Sequence, residues 1–271
     1  VEMKGQRVGM ADFTKQARKL YMGHGSQVEK DLLNSQWRDN SKLTGALENM
    51  LAMVDLSGSM SGDPMDVAIA LGIRIAEKSK LGKRVMTFTI NPRWVNLEPY
   101  PDFVSQVKAV EAGDVGYNTD FHKAMNLILD TIVENKMAPE DVENMTLVML
   151  SDMQIDEAEP RDQYSRVGRR DALYQTITQK YAEAGIRVHG KPYKPPHMLF
   201  WNLRGTGGFP SLSSEKNVSM MSGFSPALLN LFCDKGVEAL QSCTPWSILE
   251  QSLDNNRYKI MADRLDQEID V

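Results

Sequence analysis

Cysteine is scarce: 271 residues carry two, Cys233 and Cys243. Two thiols cannot staple a small secreted scaffold, and their spacing matches no zinc-binding pattern. Buried, reduced thiols are the expectation, and an intracellular, cytoplasmic location goes with it, or a virion if the source is viral. Histidine is also rare, with His24, His122, His189 and His197, which narrows the choice of general bases. No apolar run approaches the roughly 20 residues a membrane span needs, so no membrane partner is expected. The opening VEMKGQRVGMADF has no apolar core of a signal peptide. It also lacks an initiator Met, so a fragment or a processed chain is expected. One sign of charge does not dominate: 31 basic and 36 acidic residues give a net charge of -5 and are mixed along the chain. A nucleic-acid partner is therefore not expected from charge. Repeats and low-complexity linkers are absent too. Two glycosylation sequons, at Asn144 and Asn217, open apolar strand-like runs, where a glycan would block packing, so they read as chance.

What is present is rhythm. Residues 1–46 are polar and mixed, with helices expected over Met10–Met22 and Gln27–Trp37, then a turn at Asp39–Gly45. From Met50, short apolar runs alternate with longer amphipathic ones. MLAMVD, RVMTFTI, RWVNLE, MTLVMLSD, HMLFWNL and NVSMMSG read as strands. DPMDVAIALGIRIAEKS, DFVSQVKAVEA, TDFHKAMNLILDTIVENK, DALYQTITQKYAEAG and SPALLNLFCDKG read as helices, with Gly185 a stop signal for the fourth. Most of the 17 methionines fall inside such runs and read as core filler. Strands alternating with helices of 10–18 residues predict an α/β fold, with a doubly wound, mostly parallel sheet covered on both faces. The expected organisation is a helical N-terminal extension at 1–46, the α/β domain at 47–235 and a C-terminal helical extension at 236–271.

Open parallel sheets bind ligands beyond the carboxyl ends of their strands. Two strand ends here carry acids: MLAMV runs into Asp55, and MTLVML into Ser151-Asp152. Thr119 stands just before a long helix. If the three loops converge, Asp55, Ser57, Ser59, Thr119 and Asp152 offer only oxygen, a donor set for a hard cation such as Mg2+ or Mn2+.

The sequence MVDLSGSMSGDPMDVA has a second frame, Gly58-Ser-Met-Ser-Gly62, which fits a hydrolase nucleophile turn with Ser61 as nucleophile. Asp152 with His189 or His197 would complete the order of a triad. Yet the strand already ends at Asp55, and Asp63-Pro64 reads as an N-cap followed by Pro at the first helical position. Ser61 then lies in a loop rather than at an elbow, and this is a minor alternative.

Asp55-x-Ser57-x-Ser59, Thr119 and Asp152 together resemble the metal-ion-dependent adhesion site of von Willebrand factor A domains, over about Met50 to Lys235. SGDPMDVAIALGIRI, GYNTDFHKAMNLIL, PEDVENMTLVMLSDMQID and LFWNLR are similar to A-domain proteins of plants, fungi and giant DNA viruses, a family named only as a domain of unknown function. The resemblance implies that Ser57, Ser59 and Thr119 ligate the metal. It gives Asp55 and Asp152 the task of holding ligands or waters, and leaves one position for an Asp or Glu of a protein partner, a second copy of the chain included. It implies a non-enzymatic, cation-dependent binding or assembly module. The alternative is a scaffold or ribonucleoprotein component with an empty or structural site, since the A domain of ring-shaped RNA-binding proteins is broadly similar. Met153 departs from the Gly that often follows the second Asp, and Tyr117 from the small residue expected near Thr119. Three other stretches, RVGRRD (166–171), RGTGGF (204–209) and GKPYKPP (190–196), read as a solvated helix start and two exposed loops.

Overall fold

A computed structural model describes residues 8–41, 47–89, 91–112, 121–153, 166–204, 217–241, 246 and 250, with the side chains of 121, 166–174, 226, 227, 230, 234 and 238–241 excepted. The element order is α1 (Met10–Tyr21), α2 (Gln27–Ser41), β1 (Met50–Asp55), α3 (Asp63–Lys78), β2 (Arg84–Phe88), β3 (Arg93–Asn96), α4 (Phe103–Glu111), α5 (Phe121–Glu134), α6 (Pro139–Glu143), β4 (Thr146–Ser151), α7 (Arg166–His189), β5 (His197–Asn202), β6 (Val218–Ser222) and α8 (Pro226–Gln241). A short 3-10 turn, Gly58–Met60, separates β1 from α3.

The described strands form one six-stranded sheet in the order β3-β2-β1-β4-β5-β6. All neighbours are parallel except the edge hairpin of β2 and β3. This is the expected α/β architecture. Every residue of β1 is buried, because the period of two sends alternate side chains into two separate cores. Leu51 and Met53 point to one, with Leu147, Met149 and Phe200, beneath α5 and α7. Ala52 and Val54 point to the other, with Val148, Leu150 and Trp201, beneath α1, α3, α4 and α8.

The N-terminal helices belong to this second core. Phe13 of α1, Trp37 of α2 and Phe103 of α4 meet there, Trp37 and Phe103 stacked at 3.9 Å and Phe13 edge-on to both. Burying each such ring contributes about 1.5–3 kcal/mol. Helix α4 starts cleanly because Asp102 and Ser105 form a reciprocal capping box. A polar clamp ties α1 to the start of α3: Arg18 pairs with Asp66 at 2.7 Å and with Glu111 of α4, and Thr14 Oγ1 donates to the Asp66 carbonyl at 2.7 Å. Arg74 of α3 is fully buried. Its guanidinium lies 3.9 Å from the Trp37 ring centroid, and its three nitrogens find no hydrogen-bond acceptor among the described residues.

The structure corrects three local expectations. Helix α2 runs on through Asp39, Asn40 and Ser41, where turn-forming residues suggested a break; residues 42–46 of the expected turn lie outside the described set. Helix α7 does not stop at Gly185 but continues to His189. Gly185 serves a close approach instead: a Cβ there would lie 2.1 Å from the Tyr193 nitrogen and 2.6 Å from the Lys191 oxygen, because the chain after Gly190 (φ +70°) folds back over the helix. The cap of α3 is Gly62 (φ +96°, ψ -149°), with Asp63 the first helical residue and Pro64 the second. A left-handed φ favours glycine there.

Candidate functional site

Strand β1 sits at the reversal of strand order, with β2 and β3 to one side and β4, β5 and β6 to the other. Such a switch point opens a crevice at the carboxyl ends of the strands. Val54 pairs with Leu150, so Asp55 falls opposite Ser151 one position on, and Asp152 leaves the sheet beside it.

Asp55 is fully buried and its carboxylate is held from two sides. Oδ1 accepts from the Ser57 backbone N–H at 2.8 Å, and Oδ2 accepts from the Ser151 hydroxyl at 2.6 Å. The first bond turns the chain sharply after β1. The Ser57 and Ser59 hydroxyls then lie 3.0 Å apart, with Ser57 buried and Ser59 partly exposed. Burial pushes the Asp55 carboxyl above the usual carboxylate range; the bonds from Ser151 and Ser57 pull it down, and the negative charge of Asp152 pushes it up. Asp152 is fully buried as well. Two buried carboxylates thus stand at neighbouring strand ends, close enough for Asp55 to feel the charge of Asp152.

The expected residues Asp55, Ser57, Ser59 and Asp152 are therefore brought to one end of the sheet. Thr119 lies outside the described residues, as does Tyr117. Sequence reasoning missed Ser151 as the second partner of Asp55, although its place before Asp152 at a strand end was the available signal. Met153 has φ +61°, the left-handed region in which a glycine is at ease. Its N–H donates to Ser151 Oγ at 3.1 Å, so the unusual turn locks the hydroxyl that holds Asp55.

Arg204, just past β5, is a second residue that sequence reasoning misses, since RGTGGF marks only an exposed loop there. Its exposed side chain crosses to the β1–α3 loop, where Nη2 donates to the Ser61 carbonyl at 2.7 Å. Its own N–H is fixed by Asn202 Oδ1 at 3.0 Å.

The hydrolase frame finds no support in this geometry. Ser61 Oγ donates to the Gly58 carbonyl at 2.7 Å, which closes the turn. His197 pairs with Thr146 at the start of β4, six residues before Asp152, or about 20 Å along a strand; its Nε2 meets Ser219 at 2.9 Å. His189 ends α7 and lies edge-on to Tyr193, whose hydroxyl donates to the Met137 carbonyl.

The donor set fits a hard divalent cation. Its oxygens are hydroxyl and carboxylate, and both carboxylates are buried. No group of three or more His, Cys, Asp or Glu side chains converges among the described residues, so a cation here would depend on serine hydroxyls for the rest of its shell.

Fold and strand ends define an α/β protein with oxygen-bearing side chains gathered at the topological switch of its sheet. Residues 49–266 match the family described as Domain of unknown function (DUF7788), and the chain belongs to that family. It is 31% identical over 205 residues to "Uncharacterized protein L728" of Acanthamoeba polyphaga mimivirus, a match over 73% of this chain and 33% of that protein. The chain thus spans about a third of the length of this relative; the family and the viral relative fit the expected resemblance to an uncharacterised giant-virus family. Among solved structures it resembles the "Crystal structure of Deinococcus radiodurans RO (RSR) protein", with a TM-score of 0.51 and 16% identity, over 85% of this chain and 45% of that one. That likeness shows the fold. No described helix is long and apolar enough to cross a membrane.

Proposed function

We propose that the chain is a non-enzymatic, divalent-cation-dependent binding module of the von Willebrand factor A kind. Mg2+ or Mn2+ is held by Asp55, Ser57, Ser59, Thr119 and Asp152, and an Asp or Glu of a protein partner completes its shell. The observation that carries this reading is the Asp55 carboxylate, buried and clamped by Ser57 and Ser151 beneath the paired Ser57 and Ser59 hydroxyls. When bound, the cation supplies an electrophilic point for an external carboxylate. The chain's part is to hold two anionic groups out of water and to present neutral hydroxyls above them. Neutral ligands leave more of the cation's charge for the partner than carboxylate ligands would.

Calorimetric titration with Mg2+ and Mn2+ tests the reading. Binding in the wild type and its loss in Asp55→Ala is the expected pair of results; wild-type protein that takes up neither metal at millimolar concentration contradicts it. The competing reading, a scaffold or ribonucleoprotein component with an empty or structural site, predicts that Asp55→Ala leaves partner binding intact. For an RNA partner it also predicts binding that falls steeply with salt.

A further inference from the structure

A cavity of about 330 Å³ opens where the carboxyl ends of α2 and α3 meet the turn into β2. Trp37, Arg38, Ser41, Glu77, Lys78 and Lys83 line it. It lies at the amino end of β2, whereas Asp55 stands at the carboxyl end of the parallel neighbour β1. Glu77 and Trp37 make a fixed wall: the indole N–H is shared between the two Glu77 oxygens at 3.1 and 3.0 Å, and Phe103 and Arg74 hold the ring. The remaining charged side chains are cations. Arg38, Lys78 and Lys83 make no side-chain hydrogen bond or ion pair among the described residues. Neighbouring cations are taken up: Lys80 pairs with Glu48, and Arg84 lies over the Trp94 ring. Lys78 and Lys83 are half-buried, so their ammonium groups give up hydration without a protein anion in return.

An anion entering this cavity meets three positive side chains against one negative. A phosphate group carries a charge of about -1.5 to -2 at neutral pH, which matches that excess; chloride or acetate leaves part of it uncompensated. The volume falls at the low end of small-molecule pockets, roughly 300–1,000 Å³, which suits a phosphate with a small attached group. A guanidinium fork and two ammonium groups are also the donors that phosphate oxygens take best. We infer that this cavity binds a compact phosphate-type dianion, inorganic phosphate or the phosphate of a small monoester, through Arg38, Lys78 and Lys83. None of these residues takes part in the proposed cation site, so the two stand or fall separately.

The test titrates the full chain with inorganic phosphate and with glycerol 3-phosphate, at neutral pH and fixed ionic strength, followed by phosphorus NMR and calorimetry. Both probes should bind saturably at about millimolar concentration or below. A tighter monoester assigns the cavity to small phosphorylated molecules, and equal or tighter inorganic phosphate assigns it to the free ion. Lys78→Met and Lys83→Met should each weaken binding about three- to tenfold, the loss of one charge-assisted contact. Lys80→Met removes a charge already paired with Glu48 and should leave affinity within about twofold. Circular dichroism of each variant confirms that it is folded. Absence of saturable binding of both probes overturns the inference. So does acetate that competes as well as phosphate at equal ionic strength, or a loss in Lys80→Met as large as in Lys78→Met and Lys83→Met, because either result reduces the effect to general surface charge.

Discussion

Replacing Asp55 by Asn separates the electrostatic cost of the crevice from its purpose. In the metal-free protein the Asp55 carboxylate is fully buried, and burial outweighs the bonds from Ser151 and Ser57 so that its pKa lies above the ordinary value. A carboxyl whose folded pKa is raised contributes stability that is fully present below its unfolded pKa and is lost as pH rises through the folded one. The metal-free wild type should therefore lose stability as pH climbs above the ordinary carboxylate value of 3.8 and through the raised one, above which it carries the full penalty. Asn keeps the acceptor for the Ser57 N–H and removes the charge. It weakens one hydrogen bond, at Ser151, for about 1 kcal/mol. The relieved cost of a buried ion beside another carboxylate is several kcal/mol, so above the raised Asp55 pKa metal-free Asp55→Asn should exceed the wild type by about 1 kcal/mol or more. Added Mg2+ reverses the order. At a concentration of 100 times Kd it stabilises the wild type by about 2.7 kcal/mol, roughly 5–10 °C in Tm for a chain of this size, and does nothing for the variant. Thermal unfolding followed by circular dichroism at pH 5 and pH 7, in EDTA and in Mg2+, reads all four cases. A metal-free Asp55→Asn that is several kcal/mol less stable than the wild type at pH 7 would contradict a net cost of burial at Asp55, because the carboxylate would then be a net stabiliser without any cation.

Three further outcomes follow from other positions. Met153→Gly should be more stable than Met153→Ala by about 1 kcal/mol in chemical denaturation, because a left-handed φ of 61° penalises any Cβ; equal stabilities would remove the strain argument. Gly185→Ala should cost about 3 kcal/mol or lift the 190–196 segment off α7, since its Cβ would enter the backbone of Lys191–Tyr193; unchanged stability with unchanged amide exchange at Tyr193 contradicts that packing. Arg74→Met should raise stability by about 1 kcal/mol or more, because an apolar chain of similar length replaces a buried guanidinium without an acceptor among the described residues. A loss of about 2 kcal/mol would instead show that the contact with the Trp37 ring dominates.

Where the sequence was legible, one local pattern and one physical cause agreed. Buried strands such as MLAMVD and TLVMLS are apolar throughout because both faces of the sheet are covered, and the helices between them carry their stripes at the expected spacing. The acids at the ends of β1 and β4 could be assigned to one crevice because parallel topology places strand ends together. Reading failed where a distant contact decided the outcome. Gly185 looks like a helix stop by composition, but it is set by a backbone strand of loop crossing above it. Asp39, Asn40 and Ser41 favour turns in isolation, yet they extend a helix whose Trp37 is locked between Phe13, Phe103 and Arg74. Arg204 could not be joined to Ser61 from sequence, since 143 residues separate them and only the order of β1, β4 and β5 in the sheet brings their loops to one edge.

A divalent cation at Ser57 and Ser59, above the clamped Asp55, is what the proposed binding role rests on. The most direct measurement is an anomalous difference map from crystals grown with millimolar Mn2+. One peak is expected at about 2.0–2.2 Å from the hydroxyl oxygens of Ser57 and Ser59, absent in Asp55→Ala crystals. A well-ordered β1–α3 loop with no peak there would contradict it.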